Sequence, residues 1–434
     1  MSRGYYNWSR QPVTDPSLAA LRWRSDSLPR DTFLPYGNGR SYSDVCLNDG
    51  HTLLDCKPLD HLIAFDRRTG IVELEAGMLL SDLLAVIVPA GWFLPVTPGT
   101  RFVTVGGAIA NDVHGKNHQH AGSFGCHLLG LELQRSDGKR LTCSATDNPD
   151  WLAATIGGLG LTGVILKATL QLIPVGSARL EVSHRPFRTF AEFHELSNTS
   201  PAQYTVAWLD TTSADKQLRG IFSAGDFRDD GDYSPADPQS RDLPFLQPFS
   251  WLNRFSVPLM NRLWFERNRK PRTRIEHYQQ FFYPLDGIGN WNRAYGRHGF
   301  LQYQFVVPET NAETLIREFL QQTTARKACS FISVLKKFGD RASPGLLGFP
   351  RPGITLAVDF NLPNPGLLDY LREFDRRLVE VGGATYPAKD GRLGGGAFRE
   401  FFPAWRDFLR FRDAGINSDF WRRIEPALLR ESDS

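Results

Sequence analysis

The sequence predicts an α+β fold of two units, a glycine-rich unit of short strands followed by an antiparallel sheet covered by helices on one face. Three observations carry this. The chain has 434 residues, beyond the size at which one core usually stops growing. Glycine punctuates short strand patterns from Phe33 to Pro174, whereas longer strands and better helices follow. A β-α-β-β-like rhythm then appears twice. The expected boundaries are 1–175 for the first unit and 176–384 for the second, with a mobile excursion at about 226–274. Residues 385–434 form a C-terminal segment expected to return to the first unit.

In the first unit, Thr52 to Asp55, Leu62 to Asp66 and Ile71 to Ala76 read as strands, the last two joined by a turn ending in Thr69-Gly70. A helix fits Ser81 to Val88, capped by Ser81 and stopped by Pro89 and Gly91. Leu131 to Cys143 alternates around Ser136-Asp137-Gly138, a hairpin signal. In the second unit, strand Leu180 to Phe187 leads to helix Phe190 to Leu196 and strands Tyr204 to Leu209 and Leu218 to Phe222. Later, strand Phe300 to Val307 leads to helix Ala312 to Thr324, strands Cys329 to Phe338 and Ile354 to Leu362, helix Gly366 to Val381 and a short strand Ala384 to Tyr386. Between them, Asp226 to Arg274 opens acidic and proline-bearing, which suggests mobility, and closes basic and aromatic. That close reads either as a solvated, partly helical excursion or as a basic membrane-surface patch.

Hydrophobic residues at 41% and charged residues at 22% describe a soluble globular chain, and a net charge of +3 is too small to suggest nucleic acid. Five scattered cysteines, with no CxxC pair, read as reduced thiols. The N-terminus lacks an apolar stretch of the secretory kind, so cytoplasmic residence is expected, with any membrane contact peripheral at the inner surface. The most apolar stretch, Leu79 to Val96, is interrupted by Ser81, Asp82, Pro89 and Gly91 and falls short of the roughly 20 residues a span needs.

Three glycine-rich segments carry chemistry. PYGNGRSYSD, Pro35 to Asp44, places glycines 37 and 39 where amides turn inward into an anion nest, with Arg40 and Ser41 adding a charge and a hydroxyl; a plain linking turn is the alternative. TPGTRFVTVGGAIANDVHGKNHQHAGSFG, Thr97 to Gly125, sets Gly106 and Gly107 just after a Thr104 cap. Free amides of a short helix there would let a flat cofactor or phosphate approach, and His114 and Gly115 would end that helix. His114, His118 and His120 have partial metal-ligand spacing, but Gly115 and Lys116-Asn117 break the helix and no carboxylate or cysteine stands suitably, so no metal is assigned. ATIGGLGLTGVI, Ala154 to Ile165, is either a third close approach or a tight crossover. Together they argue for a long cofactor lying against main chain.

In this order the segments resemble the vanillyl-alcohol-oxidase type of FAD-binding family, and within it the decaprenylphosphoryl-beta-D-ribose 2'-oxidase branch. WNRAYGRHGFLQYQFVVP from Trp291, SFISVLKKFG from Ser330, VDF at Val358 and YPAKD at Tyr386 extend the likeness over nearly the whole chain. The resemblance implies that Gly37, Gly39, Arg40, Ser41 and Tyr42 hold the pyrophosphate side of FAD. Pro98, Gly99, Thr100, Val103, Gly106, Gly107, Asn111, His114 and Gly115 would line the rest, with Ile165 near the adenine end and Tyr386 beside the cofactor. It maps a substrate pocket onto Lys116, Gln302, Gln304, Lys336, Tyr386 and Lys389, with Lys389, Lys116, His114 and Gln304 as the catalytic set. Some relatives bind flavin covalently through a histidine near Val-His-Gly, but this branch does not, so dissociable FAD is expected.

The chemistry is intelligible from below. Oxidising a secondary alcohol needs a group for the hydroxyl proton and a clamp for the carbinol carbon. Lys389 would stabilise an alkoxide, or take the proton if its pKa is depressed; a surface lysine after a strand is the alternative. Gln302 and Gln304 share one face of an apolar strand, where two amides are costly unless they bind something such as sugar hydroxyls. Lys336 and Lys116 offer charge for a phosphate, unless they belong to a solvated edge. Two departures limit the transfer: Ala357 and Thr355 replace a cysteine and an asparagine, and a phenylalanine of Gln280–Pro284 replaces a tyrosine. The expected reaction is oxidation of carbon 2 of a polyprenyl-phosphate-linked pentose, or a related sugar, to a keto sugar. A partner reductase would complete an epimerisation, and membrane contact would run through 261–274. The alternative is an aldonolactone or alditol oxidase passing electrons from a free sugar to oxygen.

Overall fold

A computed structural model describes residues 5–214, 218–236 and 241–430. Near the N-terminus, Ser17–Ala20, Thr52–Asp55 and Phe33–Tyr36 form a small parallel sheet in that order. Beside it in sequence, Arg140–Ser144, Leu128–Gln134, Val164–Gln171, Ile71–Glu75 and Leu62–Asp66 make a five-stranded antiparallel sheet. The hairpin between its first two strands turns at Gly138, whose φ of 86° is the left-handed value such turns demand.

The larger sheet has eight strands, ordered Arg272–His277, Arg179–Phe187, Gly220–Phe227, Tyr204–Leu209, Ser333–Phe338, Gly353–Asn361, Phe300–Val307 and Ala384–Thr385, all antiparallel. Helices Phe190–Thr199, Glu309–Ala325 and Pro365–Glu380 accompany it. Asn364 caps the last through Leu367 N, and Pro365 occupies its first position, where a missing N–H costs nothing. The pleat divides the strand Phe300–Val307: Tyr303 and Phe305 pack on Phe319, and both meet Phe374, on the helical side. Gln302 and Gln304 therefore face the other way.

The C-terminal segment reaches back to the first strands. Ile416 bridges Phe33, Asp419 N–H donates to Leu47 O, and Arg423 grips Asp44 at 2.9 Å. Three local expectations are corrected. Leu79 occupies the cap position of the first long helix, so Ser81 lies inside Leu80–Ile87 with its hydroxyl on Asp82. The helix after Thr104 ends at Ala110, and His114 instead forms a β-bridge with Ser123. Nor is 226–274 a mobile excursion throughout. Asp226–Phe227 ends a strand; Asp232 pairs with Arg179 and Tyr233 donates to Val175 O; Ser256–Arg267 is helical and Arg272–His277 a strand. Residues 237–240 of that stretch lie outside the described residues.

Candidate active site

The face of the large sheet opposite its helices and the glycine-rich segments of the first unit enclose one cavity of about 800 Å³. Every residue the sequence nominates lines it. Gly37, Gly39, Arg40, Ser41 and Tyr42 contribute one stretch; Pro98, Gly99, Thr100 and Val103 another; Gly106, Gly107, Asn111, His114 and Gly115 a third; Ile165 a fourth. Lys116, Gln302, Gln304, Lys336, Tyr386 and Lys389 complete it.

Glycine acts here by proximity. Gly39 has φ +58°, and a Cβ there would lie 2.2 Å from Tyr36 Oη. The amides of Gly106 and Gly107, expected to be free, are not: they donate to Ala76 O at 2.7 Å and to Thr104 Oγ1 at 3.1 Å. What these glycines supply is a wall without side chains, in a short helix whose Thr104 cap is worth about 1 kcal/mol.

The polar end is built on three strands. Gln302 Nε2 donates to Asp359 Oδ1 at 2.6 Å, and Tyr295 donates to Oδ2 at 3.2 Å. Gln304 Nε2 lies 2.9 Å from Thr355 Oγ1 and 3.0 Å from His114 Nε2. Lys336 Nζ lies 3.0 Å from His114 Nδ1 and donates to Gly115 O at 2.9 Å. Both glutamines keep a buried carbonyl oxygen with no protein partner. Lys116 donates to Phe281 O and sits 4.2 Å above the Phe281 ring.

Burial dominates the electrostatics. It pushes Lys116 down to about 7 against the pull of Glu276, and Lys389 down to about 8 against the pull of Asp359. It also lifts Asp359 to about 7, opposed by Gln302, Lys389 and Tyr295. Lys389 rides on a clamped loop: Arg392 binds Asp375 on the helix Pro365–Glu380 at 2.7 Å and Asp390 at 2.9 Å. Tyr386 donates to Asn111 O at 2.7 Å, joining that loop to the glycine-rich unit.

Asp359, Tyr295 and Arg392 were given no role by the sequence reading. Asp359 was detectable, because Thr355, Ala357 and Asp359 alternate onto one face of a buried strand, where an acid requires partners.

A family model described as an FAD binding domain matches residues 20–144. The decaprenylphosphoryl-beta-D-ribose oxidase of Mycolicibacterium smegmatis is 37% identical over 411 residues, which is 90% of this chain and 88% of that one. This chain belongs to the decaprenylphosphoryl-beta-D-ribose oxidase family. As a member of that family it is a flavoprotein oxidoreductase acting on CH–OH groups, with FAD as cofactor. An uncharacterized protein in the mprA 5' region of Streptomyces coelicolor is 31% identical over 80% of this chain and 99% of its own. L-gulonolactone oxidase of Mus musculus is 34% identical over 32% of this chain and 31% of its own.

The residues present fit FAD. Arg40 Nε and Asn111 Oδ1 are buried in the wall without protein partners, and the Arg40 guanidinium is held 4.0 Å from the Trp8 ring. Bound there, the flavin supplies an acceptor for a hydride from carbon.

Proposed function

We propose that this family member oxidises the carbon-2 hydroxyl of a polyprenyl-phosphate-linked pentose to a keto sugar, half of an epimerisation that a partner reductase completes. The observation carrying this reading is the convergence of Lys116, Lys336 and Lys389 with Gln302 and Gln304 at one end of a cavity whose remainder is glycine-lined. Lys116 suits a phosphate, and the two unpartnered amide oxygens suit sugar hydroxyls about 7 Å apart along the strand. Lys389 steadies the developing alkoxide, His114 and Gln304 fix the polar floor, and Tyr386 holds the loop against the cofactor wall. Both ring nitrogens of His114 have partners, which supports dissociable FAD.

A bilayer contact through 261–274 belongs to the same reading, because the lipid must reach the cavity. On the helix Ser256–Arg267, Val257, Asn261 and Phe265 face inward, leaving Leu259 and Leu263 exposed. Trp264, Arg272 and Arg274 stand at the cavity rim.

The test is anaerobic bleaching of the flavin by a synthetic polyprenylphosphoryl ribose, with the keto product trapped by a hydrazine. Bleaching by free aldonolactones or alditols alone, with peroxide formed in air, would replace this reading with that of a soluble sugar oxidase.

A further inference from the structure

The hydrogen bonds around His114 have a direction that can be traced from a single fixed proton. Thr355 Oγ1 lies 2.8 Å from Phe305 O, and a carbonyl only accepts, so the hydroxyl proton is committed there. The Gln304 group 2.9 Å from the same hydroxyl is therefore its NH₂, whose second hydrogen meets His114 Nε2. Nε2 is then an acceptor, and the neutral imidazole carries its hydrogen on Nδ1, which faces Lys336 Nζ at 3.0 Å. An ammonium has no lone pair with which to accept it.

We propose that Lys336 stands in the resting enzyme as a neutral amine, fixed by the Thr355 hydroxyl through Gln304 and His114, and receives the substrate's hydroxyl proton while Lys389 stays cationic. Rotating the Gln304 amide would reverse the chain, but would leave the Thr355 and Phe305 oxygens 2.8 Å apart with no proton between them. It would also bury a cation beside two others. The charged and titratable groups facing Lys336 are His114, His118, Lys116 and Lys389, whereas Asp359 faces Lys389. Burial, then Lys389 and Lys116, pushes Lys336 well below the ordinary lysine range; burial, then Lys336, does the same to His114.

In the reaction, the C–H bonding pair leaves with its hydrogen to the flavin. The lone pair of Lys336 Nζ turns from the His114 Nδ1–H to the substrate, the O–H bond breaks with its proton to Nζ, and C–O becomes C=O; the Nδ1–H so released donates to Gly115 O. This chemistry rests on the proposed alcohol oxidation; the protonation state does not.

The test uses FAD-loaded protein labelled with ¹³C at lysine Cε and ¹⁵N in histidine, with the Lys336 signal assigned by its loss in Lys336→Met. At pH 7 the expected spectrum shows a neutral Lys336 and a His114 protonated on Nδ1. Thr355→Val frees the Gln304 amide to rotate, so the Lys336 midpoint rises by a unit or more, about tenfold in its proton affinity, while Thr355→Ser leaves it in place. A cationic Lys336, the opposite tautomer, or an unmoved midpoint in Thr355→Val overturns the proposal. Should that variant lose its flavin, the tautomer in the native protein decides. With polyprenylphosphoryl ribose as reductant, the acid limb of flavin bleaching should follow the same midpoint, and a limb at a different pH overturns the proton transfer. If that compound bleaches nothing, the substrate reading falls, and the spectra still decide the state of Lys336.

Discussion

Burial and Asp359 pull the charge of Lys389 in opposite directions. The carboxylate favours the ammonium form, and burial opposes it, leaving Lys389 with a pKa of about 8. If Lys389 steadies an alkoxide as a cation, turnover falls as pH rises through that value. Asp359→Asn removes the supporting charge, so the fall should move to lower pH, read from the pH dependence of flavin bleaching; an unmoved limb would count against the assignment. Lys389→Ala should lower the bleaching rate by about 10²- to 10⁴-fold with FAD retained, and unchanged turnover would remove the lysine from the mechanism. At this scale the sequence was informative wherever a polar residue stood in an apolar run: Gln302 and Gln304 declared themselves because two amides on a buried strand need partners. Asp359, two strand positions beyond Ala357, was equally visible by alternation and went unused. The partner of the Gly106 amide was not legible, since Ala76 O arrives from a segment thirty residues earlier, whereas that of Gly107 is the Thr104 cap itself.

Between residue and fold lie the loop and helix that Arg392 joins. Its guanidinium satisfies Asp375 on the helix Pro365–Glu380 and Asp390 in the loop carrying Lys389, and all three side chains are largely removed from water. Arg392→Met leaves two buried acids without their cation, which should cost about 3–5 kcal/mol in chemical denaturation, and a loss under 1 kcal/mol would show that the clamp is unimportant. The strands of the large sheet were readable from period and composition, with Phe300 to Val307 placed as observed. Helix starts were less so: Ser81 has the chemistry of a cap, but Leu79 carries the extended backbone of that position. The parallel sheet of Ser17–Ala20, Thr52–Asp55 and Phe33–Tyr36 was missed as a sheet, because its pairing joins strands far apart in sequence and leaves no local signal.

For the molecule as a whole, the exposed apolar side chains are unevenly spread. Phe245, Phe249, Trp251, Phe255, Leu259, Leu263 and Trp264 fall within twenty residues, next to the basic Arg272–His277 edge. Among the described residues no helix is long and apolar enough to cross a membrane; the bilayer contact proposed above would be made by this exposed surface. The paired change Leu259→Glu and Leu263→Glu should reduce flotation with anionic liposomes at least tenfold without lowering the melting temperature, as neither side chain packs inside. Equal flotation of variant and parent would dissociate this surface from membranes.

The two sides of the strand Phe300–Val307 meet different surroundings. Tyr303 and Phe305 are bound to the helices and change only at the expense of the core, whereas Gln302 and Gln304 line the cavity, each with a buried carbonyl oxygen that has no protein partner. A lineage can therefore try new residues on the cavity side while the fold stays intact. On this architecture, a directed library confined to the cavity-facing positions of these strands should yield mostly folded proteins.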